Sequence, residues 1–135
     1  MKRRLAPLPL AAGIAALFAA AVFAQPPASS PGYDASRETK LAGTVEAVTE
    51  IPGGHRGAGL HVTLAVGGDK WDVHLGPSSF VRGTGLDPAK GDAWDVTGSV
   101  DEKQKIVVAR EVRKGDKTYR LRDAQGFPLW SHGRR

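Results

Sequence analysis

From Lys40 onward, apolar and polar residues alternate with a period of two, and β-branched residues crowd the apolar positions. That is the pattern of half-buried strands, not of helices. The first strand is expected over about Lys40 to Ile51, with Gly43 marking a bend or bulge near its start. The glycines of PGGHRGAG, Pro52 to Gly59, read as a loop. A second strand follows over Leu60 to Val66, with Leu60, Val62, Leu64 and Val66 on one face. A third is expected over Lys70 to Leu75, with Trp71, Val73 and Leu75 on one face.

Gly68-Asp69 suits a tight hairpin turn between these two strands. With those residues at the tip, Val66 faces Trp71, Leu64 faces Val73 and Val62 faces Leu75. Sliding the pairing by one residue would set Val66 against Lys70 and turn the apolar set to solvent, so the expected register is strongly favoured over that slip. It places Thr63 opposite His74, with His61 diagonal to His74 on the same outward face.

Beyond Gly76, Ser78 or Ser79 is expected to cap a single helical turn carrying Phe80 and Val81. A fourth strand is expected over Ala93 to Val100, with Trp94, Val96 and Gly98 alternating against Asp95, Thr97 and Ser99. A fifth spans Lys105 to Arg113, with Ile106 and Val108 on one face and Val107 on the other. Lys117 to Arg122 reads as a short sixth, and Phe127, Leu129 and Trp130 are expected to dock on the rim. Three strands, a short helical link and two more strands make the order of a small five-stranded Greek-key barrel of the OB type, here with a C-terminal hairpin extension. Closure suits so short a chain because it leaves few open edges. An SH3-like barrel or a small open sandwich is the alternative.

The chain has 135 residues, and its first 24 are of a different kind. Lys2, Arg3 and Arg4 precede an apolar stretch from about Leu8 to Phe23. Val22 and Ala24 then form a small-residue cleavage site before Gln25. This is the layout of a secretory signal peptide, with an uncleaved anchor as the alternative. The apolar run is short for a bilayer span, which takes about 20 residues, so no membrane span is expected after cleavage. Residues 25–38, rich in Pro, Ser and Ala, read as a flexible tether, and 39–135 as the barrel domain with its basic tail. The expected location is the periplasm or the secreted space. The absence of cysteine leaves such a protein without disulfides, thiol catalysis or thiolate metal sites.

The formal charge of +5 changes once the leader is set aside. Three of the 19 basic residues and none of the 14 acids lie in it, so the remainder carries 16 against 14, a net +2. That weakens the case for nucleic acid, whose binding rests on neutralising phosphates. The basic excess that remains is local and C-terminal.

GTVEAV at Gly43 to Val48 and DAWDVTGSVDEKQKIVVAREV at Asp92 to Val112 resemble small exported bacterial OB-fold proteins of the periplasm, in which a G-x-V/I first strand and a V-x-G-x-V-D fourth strand recur. The resemblance covers about half of the chain beyond the leader and implies a ligand-binding or signalling module rather than an enzyme. The middle hairpin and the tail LRDAQGFPLW depart from that group's pattern, so no role in envelope stress and no binding residue is carried over.

The residues themselves point to three kinds of chemistry. His61 and His74 on one outward face could hold copper or zinc, with His55 of the glycine loop swinging in as a third ligand; solvated or hydrogen-bonded histidines are the plain reading. Tyr119, Arg120 and Arg122 in KTYRLR could hold an anionic strand or headgroup, set against a charged edge strand that discourages aggregation. Trp71 and Trp94 fall on core positions, which leaves Trp130 as the better candidate for a stacking surface. The glycine loop lacks the Lys-Ser/Thr ending of a P-loop, and no G-x-S-x-G elbow or catalytic carboxylate pair is present.

The leading expectation is therefore a non-catalytic exported binding module without a resident cofactor. Its contact surface is His55, Arg56, His61, Thr63, Asp72 and His74, and its ligand is a periplasmic protein, a peptide or a small anion. Single-stranded nucleic acid through the basic C-terminal third is the alternative, and copper or zinc carriage the minor one.

Overall fold

A computed structural model describes residues 32–53 and 57–131. After a 3₁₀ turn at Ala35–Arg37 come β1 (Glu38–Ile51), β2 (Gly59–Val66), β3 (Asp69–Pro77), the short helix α1 (Ser78–Gly83), β4 (Ala93–Asp101), β5 (Ile106–Lys114) and β6 (Lys117–Arg120). The expected all-β fold with a helical link between the third and fourth strands is found. The sheet has six strands where the barrel was expected to have five; the sixth, β6, falls in the stretch read as a short sixth strand and is the second arm of the C-terminal hairpin. β1 pairs antiparallel with both β2 and β4, β2 with β3, and β4 with β5. A parallel pairing of β3 with β5 brings these five strands round into a ring, leaving β6 as the strand paired on one side only. Among the described residues no helix is long and apolar enough to cross a membrane.

The ring closes because β1 is long and bent. Its first half, from Glu38 to Thr44, pairs with β4, and its second half, from Thr44 to Ile51, pairs with β2. The two meet at Thr44, and a bulge between Val45 and Ala47 follows just inside the half paired with β2. Gly43, at the expected bend, lets the strands close up: a Cβ there would sit 2.2 Å from the carbonyl oxygen of Ala65.

Inside the ring lie Val45, Leu60, Val62, Leu64, Trp71, Val73, Leu75, Trp94, Val96 and Val107, with α1 adding Val81 to the same core. Both tryptophans assigned to the core are there. In the fifth strand Ile106 and Val108 share one face and Val107 takes the other, as expected; the structure shows which faces the core, for Val107, Ala109 and Val112 are buried while Ile106 and Val108 lie half-buried on the outer face. Parallel pairing sets Val107 beside the buried Val73, and this fixes the phase. Ser78 does not cap α1; Pro77 holds the cap position, and the Ser78 N–H donates to the carbonyl of Ala58.

The hairpin register also differs. The turn is Gly67-Gly68, with Gly67 at a φ of 61°, and Val66 pairs with Asp69, Leu64 with Trp71 and Val62 with Val73. This is a two-residue slip from the expected pairing. Because side chains alternate with a period of two, such a slip keeps every apolar residue on the core face. Burial therefore cannot tell the two registers apart, and turn geometry decides. Gly67 supplies the positive φ needed at the first position of a two-residue hairpin turn.

The folded part reaches back into the stretch read as a tether. Tyr33 is only 3 % exposed, and its hydroxyl donates to the Glu38 carboxylate. That carboxylate also accepts from Nε and Nη2 of Arg110, at 2.8 and 3.0 Å. Arg110 is the extra residue where the β4–β5 register shifts. Its hydrogen bonds hold the Glu38 carboxyl below the usual range, against the opposing effect of burial. Burial, then the Glu38 carboxylate, push the Tyr33 phenol up.

The signs give a stability window. Glu38 contributes fully above its ordinary 4.5, and the contribution is lost as the pH falls through its depressed value. Tyr33 contributes fully below its ordinary 10.0, and that is lost as the pH rises beyond it. The urea midpoint should thus fall at both ends. Glu38→Gln should flatten the acid limb, leaving the part due to Asp34 and Asp92, which are also depressed. Tyr33→Phe should flatten the alkaline limb. Limbs that keep their wild-type slopes in both variants would show that this cluster does not couple to folding.

Candidate functional site

Polar chemistry gathers on the outer face of β2 and β3. Alternation turns Leu60, Val62 and Leu64 of β2, and Trp71, Val73 and Leu75 of β3, into the core. His61 and Thr63 of β2, with Asp72 and His74 of β3, are left half-buried on the other side. The observed register makes His61 the direct cross-strand partner of His74, and Thr63 that of Asp72. Next to the histidine pair the register shifts between Leu60 and His61, a local irregularity of the kind that re-aims side chains. Asp72 is further fixed by its backbone N–H, which donates to the Lys105 carbonyl.

The two imidazole rings lie 4.1 Å apart, inclined by 34°. Asp72 reaches both: His61 Nδ1 is 3.2 Å from Oδ1, and His74 Nε2 is 3.1 Å from Oδ2. An ionised carboxylate only accepts hydrogen bonds, so without a metal both of those ring nitrogens carry the hydrogen. The side chains are 22 %, 48 % and 37 % exposed for His61, Asp72 and His74, so the group is open to solute. Their donor atoms all lie within 4.8 Å of one another.

Of the expected contact surface, His61, Thr63, Asp72 and His74 are brought together. His55 and Arg56 lie outside the described residues. Asp72 was expected at the contact surface but not as a partner of the histidines. The signal was present in the sequence, since Asp72 and His74 are two apart on one strand and must share a face. On the parallel side of β3, register sets the half-buried Ile106 beside Asp72 and Val108 beside His74. These two residues also line an open depression of about 340 Å³ with Tyr33, Asp34, Arg37 and Ser99.

The basic C-terminal residues are placed differently from one another. Tyr119 packs against the core, and Arg120 is exposed, 4.0 Å from Glu111. Arg122 lies beyond β6, its guanidinium 5.1 Å from the Trp130 ring and 5.7 Å from the Tyr33 ring. Its Nη1 donates to the Gly126 carbonyl at 2.8 Å, and burial pulls its basicity down. Trp130 is half-buried over α1, its ring 5.5 Å from Phe80 and pressed against Gly76. It is thus packed into the rim and does not stand out as a stacking surface. Arg110, Arg120 and Arg122 border one depression of about 270 Å³ with Asp123. The Tyr33–Glu38–Arg110 cluster was not anticipated. Glu38 and Arg110 stand 72 residues apart, and nothing local in either segment signals the other.

No curated protein and no solved structure matches the chain. The model of the MamS/MamX magnetosome protein family matches over residues 37–119. That span runs from the turn before β1 to Tyr119 in β6, and so takes in the whole ring, the helical link and the histidine–aspartate face. On this match the chain belongs to the MamS/MamX magnetosome protein family.

Proposed function

We propose that the protein is a non-catalytic binding module, exported by its leader and serving the magnetosome setting that its family name gives, with the outer face of β2 and β3 as its contact surface. The observation that carries this reading is the Asp72 carboxylate held between the directly paired His61 and His74 on the outer sheet face. The ring interior is filled by apolar side chains, which points to the outside for ligand contact. The ring connectivity suits the OB-type order read from the sequence, and in such barrels loops and outer strand faces meet ligands. Ile106 and Val108 extend the polar face into an apolar border, a mixture that favours a protein or a small ligand over a polyanion. Nucleic acid binding through Tyr119, Arg120 and Arg122 has less support, because Tyr119 is packed on the core and the Arg122 guanidinium lies over the Tyr33 and Trp130 rings.

Native mass spectrometry of the untagged protein recovered from its own cells tests the reading. A bound mass should accompany the wild-type chain and be absent from the His61→Ala/His74→Ala double variant. Arg120→Ala should keep it. A bare wild-type chain, or a bound mass that survives the double substitution, would remove this face as the contact surface.

A further inference from the structure

We propose that His61, Asp72 and His74 form a binding site for one divalent transition metal of the zinc and copper type. This deepens the reading of the β2–β3 face as the contact surface and rests on it.

The donor set selects the class of ion. Two imidazole nitrogens and one carboxylate oxygen suit borderline metals such as zinc and copper(II). Magnesium and calcium take oxygen ligands, so two nitrogens out of three disfavour them.

Distance makes the set usable. Zinc–nitrogen and zinc–oxygen bonds of about 2.0–2.1 Å in a tetrahedron put neighbouring donor atoms about 3.3 Å apart. His61 Nδ1 stands 3.2 Å from Oδ1 and His74 Nε2 3.1 Å from Oδ2, each near that edge length but to different oxygens, and one donor atom from each of the three residues lies within 4.8 Å of the other two. The nitrogens that would bind the ion are the ones now turned to Asp72. Binding replaces two N–H···O contacts by two metal–nitrogen bonds, and each neutral imidazole keeps its one ring hydrogen, which passes through solvent to the other ring nitrogen. Closing that set onto one ion takes side-chain rotation only, because all three donors project from paired strands whose register the turn and the ring closure fix.

The site is not closed. Three protein donors leave a fourth position of a tetrahedral ion for water or an outside ligand, and the exposure of all three side chains keeps that position accessible. Such a geometry fits an ion that is exchanged, or that bridges to a second molecule, better than an ion that holds the fold together.

The test is titration of the untagged, EDTA-treated full chain with zinc by calorimetry, together with copper(II) followed by electron paramagnetic resonance. One equivalent of zinc should bind. The copper spectrum should carry coupling to two nitrogens in the wild type and to one in His61→Ala. His61→Ala and His74→Ala should each weaken zinc at least 100-fold, and Asp72→Asn about 10-fold, with unchanged circular dichroism. Excess magnesium should not compete. Absence of zinc and copper binding by the wild-type chain would overturn the proposal, as would binding that persists in the His61→Ala/His74→Ala variant. The two readings can fail separately. A blank metal titration beside a native complex that still depends on His61 and His74 removes the metal and leaves the contact face. Metal binding at the three residues beside a native complex that ignores them keeps the metal site and removes the contact-face reading.

Discussion

Gly43→Ala is expected to destabilise the protein by about 3 kcal/mol or more. Gly43 has ordinary backbone angles, so the cost is not conformational strain but space. The added Cβ would lie 2.2 Å from the Ala65 carbonyl oxygen, 2.9 Å from its carbon and 2.9 Å from Cγ2 of Val66. Two of those three atoms are backbone on a paired strand and cannot swing aside. Relief would require β1 and β2 to part where β1 leaves one partner for the other. In a domain of this size 1 kcal/mol moves the thermal midpoint by about 4–8 °C, so a drop of about 15 °C is expected. Gly68→Ala serves as the control, because a Cβ there meets nothing within 4 Å. A Gly43→Ala protein that melts with the wild type would mean that β1 does not bend against β2 as described.

Trp94→Ala is expected to cost about 3–5 kcal/mol, a large share of the stability of so small a domain. Trp94 is 1 % exposed and the bulkiest of the fully buried side chains. It sits directly across from Gly43 in the β1–β4 pairing, so the glycine's missing side chain and the indole's bulk occupy neighbouring positions. Removing the indole leaves a cavity in a closed ring, whose walls are hydrogen-bonded on both sides and cannot collapse inward. Urea unfolding followed by far-ultraviolet circular dichroism measures the cost. Trp94→Phe should recover more than half of it. A loss below about 1 kcal/mol would place the indole outside the core. Because the two positions are direct cross-strand partners, the combined Gly43→Ala/Trp94→Ala variant should cost less than the sum of the single effects.

Much of this architecture could be read along the chain. Alternation alone located the strands, since each apolar residue two apart must share a face. Gly43 was recognisable as a bend because a strand interior gains nothing from a glycine unless backbones approach there. Trp71 and Trp94 fell on the core phase for the same reason. Leu121, fully buried just beyond β6, stayed hidden, because its burial depends on the chain folding back so that its backbone bonds to Arg110 and Leu129. The inward phase of β5 was equally hidden. Val107 and Val108 are both valines, and only the parallel partner strand chooses between them.

The candidate site divides along the same line. Sequence by itself determined that His61, Thr63, Asp72 and His74 share one outward face, because they alternate with the apolar residues and every register that buries those leaves these four outside. Tertiary structure decided which of them meet. A slip of two residues preserves all burial and so leaves no trace in the hydrophobic pattern, yet it moves His61 from a diagonal position to one directly opposite His74. The local turn at Gly67-Gly68 sets that register, and the β3–β5 pairing that closes the ring brings Ile106 and Val108 alongside Asp72 and His74. Likewise, Glu38 and Arg110 meet only because the ring sets β1 and β5 on either side of β4. Periodicity is a local property, legible from neighbours in the chain, whereas register and closure depend on contacts between segments far apart in it.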